Sequence, residues 1–285
     1  MREVSIVGLG IMGQALAKAL LSSGFTVTVW NRTARKAKKL QSDGAKLAAS
    51  VAEAIQASGI TVFCISTHQD TLSLLNSAGV VLDGKSVIEL SSGAPEDATE
   101  LASYIELQGG RCLVGMILSY PSGIGSERAS ITTAGDEELW RESEEILSVL
   151  ARNLSYISDD PKALATMFSA LFISRQGYLF GMVYGALLFE KAGLPIQAYL
   201  DMLPQLNPLL QDYLDVVRTS VGSDNYSNPQ ASLETIRGAF DDALAPYKAL
   251  NTRHDFPELM AEIVDQAIAA GFGGEQMTAI LKVLR

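Results

Sequence analysis

Three glycines carry the first chemistry in this chain. Val4-Ser5-Ile6-Val7-Gly8-Leu9-Gly10-Ile11-Met12-Gly13 reads as a buried strand running into G-x-G-x-x-G and then a helix. Gly8 permits a tight turn, Gly10 lets the backbone approach a pyrophosphate, and Gly13 lets the helix pack on the strand. The N–H groups and partial positive charge of the helix start then face the phosphates, with Leu9, Ile11 and Met12 completing the loop. With 24 glycines in 285 residues, chance matches to this pattern are easy. The weight lies in the context: the motif follows a strand, opens a helix and begins the first strand–helix–strand unit. A second cluster, Trp30-Asn31-Arg32-Thr33-Ala34-Arg35-Lys36, ends the next strand. An NAD-selecting chain normally places Asp or Glu there, yet no acid occurs from Gln14 to Gln41. Arg32 can grip a 2′-phosphate with a fork of donors, and Lys36 adds a charge one turn later. Asn31 and Thr33 can add neutral hydrogen bonds. The cofactor expected is therefore NADP(H).

These groups need a scaffold, and the first half of the chain supplies one. Val4–Gly8, Thr26–Trp30, Thr61–Ser66, Ser86–Leu90, Cys112–Leu118 and Ser130–Ala134 are aliphatic runs bounded by Gly, Asp or Ser, and read as strands. Helical patterns separate them at Met12–Ser23, Ala34–Ser42, Val51–Ala57, Asp70–Asn76 and Ala94–Leu107. Glu137–Leu150 is another, followed by a short strand near Ser155–Ile157. Such alternation predicts right-handed crossovers and a mostly parallel sheet covered on both faces. Ser66 and Thr67 after the third strand, and Ser91 after the fourth, fall where cofactor contacts are expected.

At Asp159-Asp160-Pro161 the pattern changes. Asp160 can cap a helix that Pro161 begins, and Gly193-Leu194-Pro195 closes it. A helix of about 161–192 spans roughly 45 Å at 1.5 Å per residue, longer than a small domain is wide. It is expected to leave a first domain of residues 1–160 and form the spine of a helical second domain, 161–285. Helical patterns alone follow, around Ile196–Leu203, Leu209–Ser220, Ala231–Asn251, Pro257–Ala270 and Glu275–Leu284. Gly177, Gly181 and Gly185 mark one face of the long helix at a spacing of four, which allows another helix to approach closely.

Composition narrows the partners. A net charge of −10 argues against nucleic acid or an anionic membrane. Residues 1–40 nevertheless hold seven basic side chains and one acid, an island suited to a small anionic ligand. No targeting segment or membrane span is evident, so the expected setting is the cytoplasm. Cys64 and Cys112 sit in apolar runs and read as buried, inert thiols. His68 and His254 have polar sequence neighbours and no metal-ligand company, so no metal is expected.

Gly8-Leu9-Gly10-Ile11-Met12-Gly13, Asn31-Arg32-Thr33 and Lys36-Ala37 resemble the 3-hydroxyisobutyrate (β-hydroxyacid) dehydrogenase superfamily. Leu90-Ser91-Ser92-Gly93-Ala94-Pro95-Glu96 is similar to the loop by which its NADPH-dependent imine reductases line the nicotinamide. Tyr120-Pro121-Ser122-Gly123-Ile124-Gly125, Gly181–Leu188 and Ala231-Ser232-Leu233 extend the likeness toward the C-terminus. The resemblance implies a Rossmann domain, a long interdomain helix and an all-helical C-terminal domain interlocked with a second subunit. It places the active site in a cleft between one subunit's Rossmann domain and its partner's helical domain.

One departure bears on the reaction. Hydroxyacid dehydrogenases of the superfamily carry a lysine early in the interdomain helix and an asparagine one turn on, and Ala163–Glu190 contains neither. Imine reductases usually place Asp or Tyr there. Alignment on Gly181–Gly185 puts Phe168 at that position, with Met167 or Ser169 one residue off. A ketone oxygen needs a proton or strong stabilisation as hydride arrives. A preformed iminium needs neither, so an apolar pocket that positions it can suffice.

The leading expectation is an NADPH-dependent reductase of imines or iminium ions, acting as a homodimer. A NADP-dependent β-hydroxyacid dehydrogenase and an NADP(H)-binding protein with little catalysis are the alternatives. Ser92 is a candidate weak proton donor. Arg175, seven residues after Phe168 on the same face, is either a structural pair member or an anchor for a substrate acceptor. Tyr178 offers a hydroxyl or ordinary packing.

Overall fold

Aliphatic runs and turn residues alternate through the first half of the chain, and the backbone follows them. The computed structural model describes residues 2–285. Its first elements are β1 (Glu3–Val7), α1 (Ile11–Ser22), β2 (Thr26–Trp30), α2 (Ala34–Gln41), β3 (Lys46–Leu47) and α3 (Val51–Gln56). Next come β4 (Ile60–Phe63), α4 (His68–Ala78), β5 (Ser86–Glu89), α5 (Pro95–Leu107) and β6 (Arg111–Leu118). The sheet is completed by β7 (Ser130–Gly135), α6 (Glu137–Leu150) and β8 (Asn153–Tyr156).

The eight strands lie in the order β3-β2-β1-β4-β5-β6-β7-β8. All neighbours are parallel except β6 and β7, which pair antiparallel from Leu113 with Gly135 to Leu118 with Ser130. Strand alternation sorts the side chains into two cores. Val4, Ile6, Ile88 and Leu113 pack with Leu16 and Leu20 of α1 and Leu139 and Leu147 of α6. Val7, Val87, Cys112 and Val114 pack with Ile55, Leu75 and Leu101 of α3, α4 and α5. The strand order reverses between β1 and β4, and the crevice beyond their carboxyl ends is where such sheets bind ligands.

Helix α7 (Pro161–Lys191) starts where the sequence indicates, with the Lys162 N–H donating to Asp160 Oδ1 at 2.9 Å. Gly193, at φ +69°, ends it in the left-handed conformation that a side chain disfavours. The helix begins at the expected domain boundary of residue 160, but the compact units divide within it, the second being Ile173–Arg285. The physical reason is that Leu164 is buried in the second of the two sheet cores, so the first turns of α7 pack with the sheet.

The second unit adds α8 (Ile196–Met202), α9 (Asn207–Ser223), α10 (Leu233–Ala249), α11 (Asp255–Ala267) and α12 (Leu281–Leu284). The single helix expected over Glu275–Leu284 is instead a 3-10 turn, Met277–Ile280, leading into the four-residue α12. Its small core gathers Tyr226, Leu233, Val264, Ala267 and Ala279. The glycine row of α7 divides in two. A Cβ on Gly185 would collide with the Tyr199 ring of α8, whereas Gly177 and Gly181 face open space. Around them Ile173, Phe180 and Val183, with Tyr213, Leu214 and Val217 of α9, remain exposed.

Candidate functional site

The loop between β1 and α1 lines a cleft of about 720 Å³. Gly8 sits at φ +98°, and a Cβ there would run into the Cys64 carbonyl and the Ile65 side chain. A Cβ on Gly13 would run into the Gly8 carbonyl, while one on Gly10 would meet no atom within 4 Å. Gly8 and Gly13 are thus required by the chain's own packing, whereas Gly10 borders open space in the cleft. No acid lies in the first turn of α1, and the N–H groups of Ile11, Met12 and Gly13 lack intrahelical acceptors. This cradle fits a diphosphate.

Asn31 lines this cleft and is also tied into the chain's own hydrogen bonds. Its Oδ1 accepts the Leu9 N–H at 2.8 Å and its Nδ2 donates to the Thr33 carbonyl at 3.2 Å. It therefore locks the glycine loop to the end of β2, and Gln14 Nε2 steadies the same loop by donating to the Leu9 carbonyl at 3.0 Å. Arg32, Thr33 and Lys36 line the cleft beyond. Among the described residues neither Arg32 nor Lys36 forms an ion pair, and α2 has no acid in its first turn. Two unengaged cations and a helix N-terminus suit a dianion. From the other wall come Ser66 and, on α4, Asp70, Ser73 and Ser77. Thr67, expected among the contacts, is outside this lining. Its Oγ1 caps α4, accepting the Asp70 N–H at 3.0 Å and donating to Asp70 Oδ2 at 2.8 Å.

A second cleft, about 240 Å³, adjoins the first through shared walls at Met12, Cys64 and Ile65. Its lining is Leu90–Gly93, residues 114–117 of β6, His68, and Leu164, Ala165 and Phe168 of α7. Ser91 is buried and braces the loop ends: its Oγ accepts the Ile65 N–H at 3.1 Å and its N–H donates to Glu89 Oε1 at 3.0 Å. Ser92 leaves its hydroxyl exposed while its carbonyl accepts the His68 N–H at 3.0 Å. Phe168 faces this cleft, its ring 5.9 Å from that of Phe172. Arg175 and Tyr178 lie farther along α7, in the second unit, and line neither cleft. Lys162 is held by Glu96 at 3.6 Å, so no lysine of α7 lines the cleft.

Sequence reasoning passed over two residues here. His68, which has polar sequence neighbours, is 3% exposed, and Glu89 is fully buried. Nδ1 of His68 lies 3.3 Å from Glu89 Oε1. The one available signal was a glutamate closing an aliphatic strand that is buried on both faces. Burial and the neighbouring Glu89 push the Cys64 thiol up to about 12, and the same causes raise Cys112 on β6. Among the described residues no three potential metal ligands cluster, and no helix is long and apolar enough to cross a membrane.

Known proteins carry both halves of this arrangement. Residues 3–158 match the NAD binding domain of 6-phosphogluconate dehydrogenase, and residues 165–285 match the C-terminal domain of the NADPH-dependent reductive aminase-like proteins. The NADPH-dependent reductive aminase of Aspergillus oryzae is 27% identical over 288 residues, spanning 100% of this chain and 97% of that protein. The reductive aminase from Aspergillus terreus, solved with NADPH and ethyl levulinate, has a TM-score of 0.93 at 29% identity over 100% of both chains. An imine reductase from Pseudomonas sp. has a TM-score of 0.94 at 28% identity, covering 100% of this chain and 99% of that one. Cradle, long helix and helical unit follow one another in the same order from end to end, and the chain belongs to the imine reductase and reductive aminase family of the 3-hydroxyisobutyrate dehydrogenase superfamily.

Proposed function

We propose that this chain is an NADPH-dependent reductase that converts imines or iminium ions to amines. The observation that carries the reading is the continuity of the two clefts through Met12, Cys64 and Ile65. Arg32 and Lys36 would hold the 2′-phosphate of a dinucleotide and the Gly8–Gly13 loop its diphosphate, which would leave the smaller, largely apolar cleft for the redox-active ring and the substrate. NADPH supplies the hydride there. The backbone of Gly10 and the first N–H groups of α1 hold the diphosphate, while Ser66 and Asp70 border its path. Ser91 fixes the loop on which Ser92 stands, and Phe168 and Leu164 exclude water from the reacting carbon.

The absence of a lysine from this cleft favours a substrate that already carries positive charge. Hydride addition to an iminium yields a neutral amine, so no alkoxide has to be stabilised. Phe168→Leu is expected to keep kcat/KM on a preformed iminium within about tenfold, a barrier change of about 1.4 kcal/mol. A thousandfold loss would show that the ring does more than shape the cavity. A panel of cyclic imines and iminium ions with NADPH tests the whole reading, set against 3-hydroxyisobutyrate and 6-phosphogluconate with NADP+. Reduction of the nitrogen compounds is the expected result, and oxidation of the hydroxyacids alone would overturn it.

The active unit in this reading is a cytoplasmic homodimer whose helical units interlock. Its support is the apolar surface left open on α7 and α9, where Ile173 is 69% and Tyr213 57% exposed, beside the open faces of Gly177 and Gly181. Contiguous apolar surface of this extent marks an interface. Light scattering at micromolar concentration is expected to give twice the mass of the chain. Gly181→Leu is expected to reduce it to that of one chain, and a monomeric wild type would refute the assembly.

A further inference from the structure

The smaller cleft has no acid at position 168, but a buried pair stands in its wall. Glu89 is fully buried at the end of β5, with no lysine or arginine paired to it. Its Oε1 accepts the Ser91 N–H at 3.0 Å and faces His68 Nδ1 at 3.3 Å. Its Oε2 has no hydrogen-bond partner among the described residues. On the strands to either side stand Cys64 and Cys112, both held as thiols, and the nearest other acid on α4 is Asp70, engaged by Thr67. His68 is therefore the group that answers the charge of Glu89. It also lines the cleft, and a Cβ on Gly93 would collide with its ring, so the imidazole is fixed between Gly93 and Glu89.

We propose that His68, backed by Glu89, supplies the proton that a neutral imine needs, a role that rests on the reading of this chain as a C=N reductase. An isolated buried carboxylate is strongly disfavoured, and a pair without net charge removes that cost. Two arrangements of the pair without net charge join Nδ1 to Glu89 Oε1 by a hydrogen and put none on the orphan Oε2: an imidazolium beside a carboxylate, and an imidazole whose Nδ1 accepts from a carboxylic acid. Both place a hydrogen on Nε2. That nitrogen makes no hydrogen bond among the described residues and is not one of the buried orphan atoms. His68 lines the cleft, and Nε2 is the ring nitrogen that Glu89 does not engage.

The step balances simply. The imine nitrogen takes the Nε2 proton on its lone pair. The protonated C=N carbon would then accept hydride, which bound NADPH would supply, and the C=N π pair would become the lone pair of the amine. His68 is left as neutral imidazole hydrogen-bonded through Nδ1 to Glu89, and solvent returns the proton after product leaves. His68 is a catalytic residue in this scheme and Glu89 a positioning residue. Permanently charged iminium ions bypass the proton transfer.

The test compares dihydroisoquinoline in alkaline buffer, where it is neutral, with N-methyl-dihydroisoquinolinium, whose charge is permanent. His68→Gln is expected to lower the ratio of kcat/KM for the first over the second by about a hundredfold, the lower end of general-acid contributions. Glu89→Gln, nearly isosteric, is expected to lower the same ratio by about tenfold. Equal losses on the two compounds, tracking a weaker NADPH affinity in fluorescence titration, would overturn the proposal and make His68 a cofactor contact. A second readout needs neither substrate nor cofactor. The chain has two histidines, so NMR of isotope-labelled histidine, assigned with His254→Asn, reports directly on His68. A hydrogen on its Nε2 at neutral pH is expected, and a bare Nε2 would overturn the proposal. A wild-type enzyme inactive on both compounds would instead overturn the C=N reading, and the destination of the proton with it.

Discussion

Replacing Arg32 and Lys36 together with alanine is expected to weaken NADPH binding by about a hundredfold while leaving NADH within about threefold. The expectation assigns about tenfold to each cation, within the range for hydrogen bonds to charged groups. Both side chains are exposed at the mouth of the larger cleft and have no acidic partner among the described residues, so each can engage a dianion. Solvent exposure also makes their effect salt-dependent, and the preference for NADPH should shrink as ionic strength rises. The loop itself should survive the double substitution. It is held by Asn31 through Leu9 and Thr33, and neither bond involves the removed side chains. Fluorescence titration with the two cofactors provides the measurement. Equal losses would mean that the charges steady the cleft rather than choose the cofactor.

Gly10→Ala separates binding from folding more sharply. A Cβ at Gly10 meets no atom of the chain within 4 Å, so the variant is expected to unfold at the wild-type temperature without cofactor. The same methyl group would stand where backbone and diphosphate must touch, and NADPH affinity is expected to fall by a hundredfold or more. Gly13→Ala gives the contrast. Its Cβ collides with the Gly8 carbonyl, and that residue is tied by its own N–H to the Trp30 carbonyl at 3.0 Å. It should therefore lose thermal stability as well as affinity. A Gly10→Ala protein that binds NADPH normally would show that the diphosphate lies elsewhere.

The cradle was legible because its parts are local: strand, three glycines and helix occupy one short segment, and the chain's geometry acts within it. Helix α7 was legible for the same reason, since Asp160, Pro161 and Gly193 punctuate it at both ends. The two-residue β3 carries no alternation to read, and it exists only because Lys46 and Leu47 pair with Thr28 and Val29. The helix expected at the C-terminus broke up because local pattern does not register the turns that tertiary packing imposes there. His68 and Glu89 lie 21 residues apart, and what joins them is the neighbouring course of β4 and β5. The sequence neighbours of His68 are polar, whereas in space its ring lies against Gly93 and Glu89. The hydrogen bonds of Asn31 and Thr67 could not be read in advance, because they depend on which backbone groups the fold brings within reach.

The raised Cys64 thiol has a consequence for a cleft that must admit electrophiles. Imines and the carbonyl compounds from which they form react readily with thiolates, and Cys64 lines both clefts. With its ionisation pushed up to about 12, only about one Cys64 in 10⁵ would be a thiolate at neutral pH. Burial above all, with the charge of Glu89 added to it, silences this sulfur. Substrate can approach the hydride without being trapped as a covalent adduct, and the chamber is protected against poisoning by the compounds it handles.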